Sequence, residues 1–353
     1  KKGRITEDDV KERMSLLTGA LDYQALSDVD LVIEAVFEDM DLKKTVFRAI
    51  DEICKPGCVL ASNTSYLNIN EIAAVTSRPQ DVIGLHFFSP ANIMRLLEVV
   101  RGDETSNEVL ATCMKLGAHI GKVAVVVGVC RGFVGNRILG ARMRQSDDLL
   151  LKNAMPQEID AVVFDFGFPM GSFAMRDLAG LDIGWLGDET PDKDINVRHQ
   201  LCTRGRRGQK TGGGFYDYES GSRTPIPNAE VEQIIQEVSK NAGVTRTEIS
   251  AADMLKRMIY AMVNEAAKIL DEAIALRAAA IDVIWVYGYG WPTYRGGLTY
   301  YADQIGLTNI VEDLDRFSTE YDDPELEPAP LLRQLAREGK SFQDFVRQDH
   351  FEA

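Results

Sequence analysis

The chain has 353 residues and a formal net charge of −15, with 45% hydrophobic and 26% charged residues. That is enough for two or three domains, and too acidic, with no basic face to offset it, for nucleic acid to be the partner. No apolar run approaches the ~20 residues a membrane span requires, and the start shows no signal-peptide pattern. The cysteines, Cys54, Cys58, Cys113, Cys130 and Cys202, are odd in number and scattered. No second Cys or His pair completes a metal site with Cys54 and Cys58, so they read as ordinary thiols in a reducing compartment.

The first third alternates helix and strand. Glu7 to Leu17 reads as a helix, Thr18 to Leu21 as a short strand, and Asp30-Leu-Val-Ile-Glu-Ala-Val as an apolar strand buried on both faces. A helix is expected from Asp41 to Ile53, a strand from Cys58 to Ala61, a helix from Ile69 to Val75, and a strand from Val82 to His86. Leu96-Leu-Glu-Val-Val makes a further strand near Glu98, and Val123 to Val127 closes the region. This rhythm implies an α/β unit over residues 1–130 with a parallel sheet and crossover helices. No strand-Gly-x-Gly-x-x-Gly-helix unit occurs anywhere, although a dinucleotide-binding fold needs one to seat a pyrophosphate on a helix N-terminus.

From Val134 onward the pattern changes to long amphipathic helices. Arg137 to Lys152 is one, Pro156 opens another through Val163, and Phe168-Pro-Met-Gly breaks the chain before a third. An echo of this pattern follows about 120 residues on. Arg137-Ile-Leu-Gly-Ala-Arg-Met matches Arg257-Met-Ile-Tyr-Ala-Met-Val, Glu158-Ile-Asp160 matches Ala280-Ile-Asp282, and Gly167-Phe-Pro-Met matches Gly290-Trp-Pro-Thr. Gly180-Leu181 then matches Gly306-Leu307. We read a duplicated all-α domain, the first copy over 131–220 and the second over 221–353. Gly-Phe-Val-Gly-Asn-Arg of the first copy becomes Asp253-Met-Leu-Lys-Arg-Met in the second, with no asparagine at the corresponding place, so the second copy reads as structural. Between the copies, Gly208-Gln-Lys-Thr-Gly-Gly-Gly lacks the spacing and the upstream strand of a phosphate loop.

The chemistry concentrates between Ser62 and Glu98. Ser62-Asn-Thr-Ser65 leads through an apolar strand into Gly84-Leu-His-Phe-Phe-Ser-Pro90, and Glu98 follows His86 twelve residues later. If the two strands are neighbours, the carboxylate accepts a hydrogen bond from one imidazole nitrogen, fixes the tautomer and leaves the other nitrogen as a base. Ser65 and Asn136 add donors suited to an oxygen that gains negative charge.

These segments, Ser62 to Ser65, Gly84 to Pro90, Glu98, and Gly132-Phe-Val-Gly-Asn-Arg137, together resemble L-3-hydroxyacyl-CoA dehydrogenases. The resemblance covers nearly the whole chain. It is strongest to the dehydrogenase region of multifunctional fatty-acid β-oxidation enzymes, in which an enoyl-CoA hydratase/isomerase domain comes first. It implies NAD-dependent oxidation of L-3-hydroxyacyl-CoA to 3-oxoacyl-CoA, with His86 as general base, Glu98 orienting it, and Ser65 and Asn136 holding the oxygen on C3. It also implies that Val36, Phe37, Glu38, Lys43, Asn63, Ser65 and Ser89 line the nicotinamide half of the NAD site. Ser89 departs from the family, which often has asparagine there, and a hydroxyl replaces only one of an amide's hydrogen bonds.

Set against the family, the first strand, its Gly-rich turn and helix, and the second strand would lie before Lys1. The Rossmann-type domain is then incomplete, the natural protein is expected to extend further, and Leu31 to Val36 is expected to show an unpaired apolar edge. Acyl-CoA is the implied partner, its phosphates calling for a basic patch such as Arg204, Arg206, Arg207 and Lys210. The duplication implies a monomer, because the second copy caps the first as a subunit would. The terminus His350-Phe-Glu-Ala353 is not a Ser-Lys-Leu address, which leans toward bacterial cytoplasm. Two other readings stand beside this one. A helical-domain hydroxyacid dehydrogenase would more often use a lysine, and none stands beside Asn136. An acyl-CoA-binding or structural protein that has lost its cofactor would explain the absent glycine fingerprint.

Overall fold

A computed structural model of the chain describes residues 5–346. The C-terminal His350 to Ala353 and the first residues, on which two of the expectations above rest, lie outside that range. Helix α1 (Glu7–Ser15) opens on a reciprocal cap between Thr6 and Asp9, yet it buries no residue. The expected strand at 18–21 does not form; Asp22 instead accepts from the Gln24 amide and starts a short 3-10 turn. A strand there would need a neighbour to pair with, and the outer edge of β1 has none among the described residues.

The α/β part continues through β1 (Leu31–Glu34), α2 (Met40–Ile53), β2 (Val59–Ser62), α3 (Ile69–Ala73), β3 (Val82–Phe87), β4 (Leu96–Val100), α4 (Asn107–His119) and β5 (Val123–Val127). Asp39 and Ser106 cap α2 and α4 through side-chain bonds to the Leu42 and Val109 amides. The strands lie in the order β1-β2-β3-β4-β5. All neighbours run parallel except β3 and β4. That pair departs from the all-parallel expectation because only residues 88–95 join the two strands, too few for a crossover. The reversal sets His86 directly opposite Glu98.

Strand alternation sorts the sheet into two faces. Val59, Ala61, Ile83, Leu85, Leu97 and Val99 pack with Val109 and Cys113 of α4. Leu60, Val82, Leu96, Val100, Val125 and Val127 join the core of the helical part, and His86 and Glu98 share their parity. At the open edge, Ile33 of β1 and Val36 just beyond it are 41% and 39% exposed. A buried ion pair holds this edge: Glu34 meets Lys43 Nζ at 2.7 Å, with the two side chains only 2% and 1% exposed. Glu34 also accepts from the Ser62 hydroxyl at 2.7 Å and from the Val36 amide at 2.6 Å.

The helical part comprises α5 (Gly135–Lys152), α6 (Pro156–Phe166), α7 (Ser172–Ala179), α8 (Val197–Thr203) and α9 (Ala229–Asn241), then α10 (Ala251–Asp271), α11 (Ala278–Gly288), α12 (Leu298–Ile305), α13 (Leu307–Tyr321) and α14 (Pro330–Glu338). The duplication shows in four carboxylate clamps. Asp160 accepts from the Phe173 and Ala174 amides at the start of α7, and Asp282 does the same for Thr299 and Tyr300 at the start of α12. Asp177 then holds the amides of Phe215 and Tyr216, and Asp303 those of Phe342 and Gln343.

The copies meet through α5 and α10 about a pseudo-two-fold. Arg137 donates to Glu265 at 2.6 Å, and its counterpart Arg257 donates to Gln145 at 2.7 Å. Gln145 follows Arg137 by the same spacing as Glu265 follows Arg257. This is the reciprocity of an isologous interface, realised within one chain.

Two outcomes test these packing claims. Lys43→Met leaves the Glu34 charge buried without its cation, and chemical denaturation should show a loss of roughly 3–5 kcal/mol, most of it recovered when Glu34→Gln is added. Burial pushes the Asp177 carboxyl up to about 6 despite its three donors, above the ~3.9 of an unfolded chain. The folded state then binds the proton more tightly, so this group's stabilisation is present at low pH and is lost as pH rises through about 6. The melting temperature of the parent relative to Asp177→Asn should therefore be higher at pH 5 than at pH 7.

Candidate active site

The site forms where the carboxyl ends of β1, β2 and β3 meet the start of α5, the position at which open α/β sheets present their ligand crevice. Because β3 and β4 are antiparallel and in register, His86 and Glu98 project side by side. His86 Nδ1 lies 2.8 Å from Glu98 Oε2, with both side chains at most 5% exposed. The other carboxylate oxygen, Oε1, accepts from the Gly135 amide at 3.0 Å. Gly135 is the first residue of α5, so the carboxylate also sits at the favourable end of a helix dipole. His86 Nε2 has no hydrogen-bond partner among the described residues.

Phe88 and Phe133 wall the imidazole, their centroids 4.4 and 5.6 Å from it. Phe133 holds φ +50°, a conformation costly for a bulky residue. That turn brings the Gly135 amide and Asn136 round to the carboxylate.

Glu38 organises the opposite wall. Its Oε1 accepts from the Thr64 hydroxyl at 2.6 Å, the Ser65 amide at 2.8 Å and the Tyr66 amide at 3.0 Å. The Ser65 carbonyl then faces Asn136 Nδ2 at 3.5 Å, while the Ser65 hydroxyl has no partner among the described residues. Asn63 Oδ1 accepts from the Phe87 amide at 2.8 Å and ties the ends of β2 and β3 together. A chain of contacts thus links His86 to Glu98, Glu98 to the Gly135 amide beside Asn136, and Asn136 to Ser65, although these residues come from four separate segments.

Of the residues expected to line a cofactor, Val36 and Phe37 stand open at the end of β1, 39% and 86% exposed. Ser89 is exposed. Lys43 is committed to Glu34, with Glu38 3.6 Å away, so it braces the wall and is itself buried. The open apolar surface of Val36 and Phe37 fits a flat ring such as the nicotinamide of NAD. The described residues hold no glycine turn for the pyrophosphate.

A cavity of about 590 Å³ lies between α5, α7 and α8. Its wall is formed by apolar residues such as Leu139, Met143, Leu150, Met175 and Leu181 together with the charged Arg144, Asp147, Arg176 and Arg198, and Tyr66, next to Ser65 in the chain, also lines it. His86, Glu98 and Asn136 do not line it. The cations of the basic cluster expected for phosphates each have a partner within the chain: Arg206 pairs with Asp217 at 2.6 Å, Lys210 with Asp182 at 2.6 Å, Arg204 bonds Gln200 at 2.7 Å, and Arg207 lies over the Trp185 ring at 5.7 Å.

Two contributors escaped sequence reasoning. Glu34 had no signal beyond being a charge within an apolar strand. Tyr289, whose hydroxyl reaches Asn136 Oδ1 at 2.8 Å, comes from the copy that reads as structural, and no motif marks it.

The family described as 3-hydroxyacyl-CoA dehydrogenase, NAD binding domain, matches residues 1–130, and the corresponding C-terminal domain matches twice, at 132–218 and 254–346. A peroxisomal bifunctional enzyme of Danio rerio is 44% identical over 95% of this chain and 50% of its own length. The chain spans about half the length of the curated relatives it matches. Among solved structures, the dehydrogenase part of multifunctional enzyme 1 from C. elegans is 32% identical with a TM-score of 0.66, covering 94% of this chain and 77% of that one. The 3-hydroxybutyryl-CoA dehydrogenase of Escherichia coli K12 is 25% identical with a TM-score of 0.78, over 96% and 88%.

One expectation is overturned by these relatives: the lean toward bacterial cytoplasm. Those in fish, mammals and plants carry peroxisomal or glyoxysomal names. A terminal tripeptide is an address read by a receptor and is independent of the fold, whereas the body of the chain carries the kinship. With both parts of the fold matched along nearly all of its length, and the helical part matched in each copy, the chain belongs to the 3-hydroxyacyl-CoA dehydrogenase family.

Proposed function

We propose that this chain carries the NAD-dependent oxidation of L-3-hydroxyacyl-CoA to 3-oxoacyl-CoA, and its reverse, within peroxisomal fatty-acid β-oxidation. The observation that carries the reading is the buried His86–Glu98 pair at 2.8 Å, with Nε2 unpartnered and a chain of contacts leading on to Asn136 and Ser65. When bound, NAD supplies the acceptor for the hydride from C3. His86 Nε2 takes the proton of the 3-hydroxyl as that hydride leaves. Glu98 receives the Nδ1–H and stabilises the imidazolium that forms, in the manner of a triad carboxylate. The Ser65 hydroxyl and Asn136 amide hold the oxygen on C3, whose negative charge grows when the ketone is reduced. Glu38 positions this donor wall, and Val36, Phe37, Asn63 and Ser89 border the nicotinamide half of the cofactor site, with Lys43 bracing it from below.

The cavity that Tyr66 lines, with its apolar side chains, supports an acyl substrate. Its volume of about 590 Å³ suits a small ligand or a chain segment. The pseudo-two-fold contact between α5 and α10 supports a monomer, since the second copy already occupies the face a subunit would cover. We place the domain limits at 1–130, 131–220 and 221–353.

The deciding experiment follows NADH oxidation driven by acetoacetyl-CoA in the intact protein. His86→Gln should lower kcat roughly 100- to 10,000-fold while KM changes little; retention of most of the activity would remove His86 from the base's role. Ser89→Asn should tighten NADH binding, read by fluorescence titration, by restoring an amide's second hydrogen bond. An unchanged or weaker affinity would show that Ser89 does not limit the cofactor site.

A further inference from the structure

The second helical copy lacks the asparagine motif of the first, yet it sends one side chain into the candidate site. Tyr289 lies at the C-terminal end of α11, and its hydroxyl donates to Asn136 Oδ1 at 2.8 Å. The ring stacks on Trp285 at 4.7 Å and meets Phe88 edge-on at 5.4 Å. Phe88 in turn packs on the His86 imidazole at 4.4 Å. The approach is close enough that a Cβ on Gly135 would stand 2.3 Å from the Tyr289 ring. That contact explains why glycine is needed at the residue whose amide holds Glu98.

We propose that Tyr289 is a positioning residue for the dehydrogenase reaction: it anchors the Asn136 amide and, with the Ser65 carbonyl, holds it so that Nδ2, and not Oδ1, is offered to the oxygen on C3. This rests on the reading of Asn136 as a donor to that oxygen.

The two ends of an amide, one an acceptor and the other a double donor, exchange places by rotation about a single bond. With Oδ1 turned toward the substrate, the side chain would repel an oxygen gaining negative charge. The phenol alone does not forbid this, because a hydroxyl accepts as well as donates. The Ser65 carbonyl does. It lies 3.5 Å from Nδ2, and the rotated amide would set two acceptors against each other there. Tyr289 and the Ser65 carbonyl together therefore allow one orientation, and the second N–H of the amide remains for the substrate.

The phenol stays a donor throughout the working range. Burial, and then the nearby Glu98 and Tyr66, hold it well above the ordinary value for tyrosine. In the repeat alignment that pairs Gly167-Phe-Pro with Gly290-Trp-Pro, the first copy has Phe166 where the second has Tyr289. The hydroxyl therefore belongs to one copy only, and it serves the copy that keeps the asparagine.

The test is Tyr289→Phe in the intact enzyme, which keeps the ring contacts and removes one O–H. Its thermal melt and NADH affinity, compared with the parent, establish that it folds. With NADH and acetoacetyl-CoA, kcat should fall roughly tenfold while KM for the acyl-CoA stays within about twofold, the pattern of an interaction made in the transition state. Asn136→Ala should lose at least as much, and the double variant should be no slower than Asn136→Ala alone, because both changes remove one unit. A Tyr289→Phe enzyme as fast as the parent beside an impaired Asn136→Ala overturns the proposal and leaves the reading of Asn136 standing. So does strict additivity in the double variant. An unimpaired Asn136→Ala overturns the reading of Asn136 itself, and the proposal with it.

Discussion

The Glu98 carboxylate is the constraint on which the rest of the arrangement depends. It is fully buried, and a buried charge survives only when its oxygens are satisfied. One oxygen is satisfied by His86 on the neighbouring strand and the other by the first amide of α5. A single side chain thus joins two strands of the sheet to the leading helix of the next domain. It does so at the point where an imidazole has to be held in one tautomer. The Phe133 turn and the start of α5, with Asn136 next to it, are held against the sheet by that carboxylate.

The two helical copies show the same economy in their backbones. Asp160, Asp177, Asp282 and Asp303 each receive two successive amides. Each clamp starts a segment without relying on a local cap. Their repetition made it possible for the copies to keep one architecture while their surfaces diverged. The pairing of Arg137 with Glu265 and of Arg257 with Gln145 shows what divergence left intact. Arg137 meets a carboxylate at the symmetric position, whereas Arg257 meets an amide there and finds its carboxylate in Asp148 at 2.6 Å.

The edge of the sheet is organised differently from its centre. Glu34, Lys43, Ser62 and Glu38 form a connected polar network beneath an open apolar rim of Ile33, Val36 and Phe37. Buried polar networks of this kind fix geometry more than they add stability. Here the network sets the height of the Asn63 to Tyr66 turn against the start of α5, and so the distance between Ser65 and Asn136.

Much of this was legible in the residues. Alternating apolar strands and amphipathic helices placed the five strands and the helices α2, α3, α5 and α6, because burial periodicity is a local property of the chain, whereas α4, α8 and α9 were not among the expected elements. The repeat was legible because Asp160 and Asp282 recur in register with their Gly-aromatic-Pro breaks. Spacing also suggested the partnership of His86 with Glu98. The reversal of β4 needed the connection length to be weighed, and the supposed strand at 18–21 failed for want of a neighbour that no local pattern can supply. Lys43 carried a signal as a cofactor contact, but its pairing with the buried Glu34 at 2.7 Å could be seen only once the fold brought the two together. Tyr289 had no signal at all, since Asn136 lies 153 positions away along the chain. The sequence by itself determined the kinds of element, their order and the chemistry available. Only the tertiary structure decided which polar groups would meet, because that depends on distant segments being brought together at hydrogen-bond distance in a low-dielectric interior, where each must find a partner.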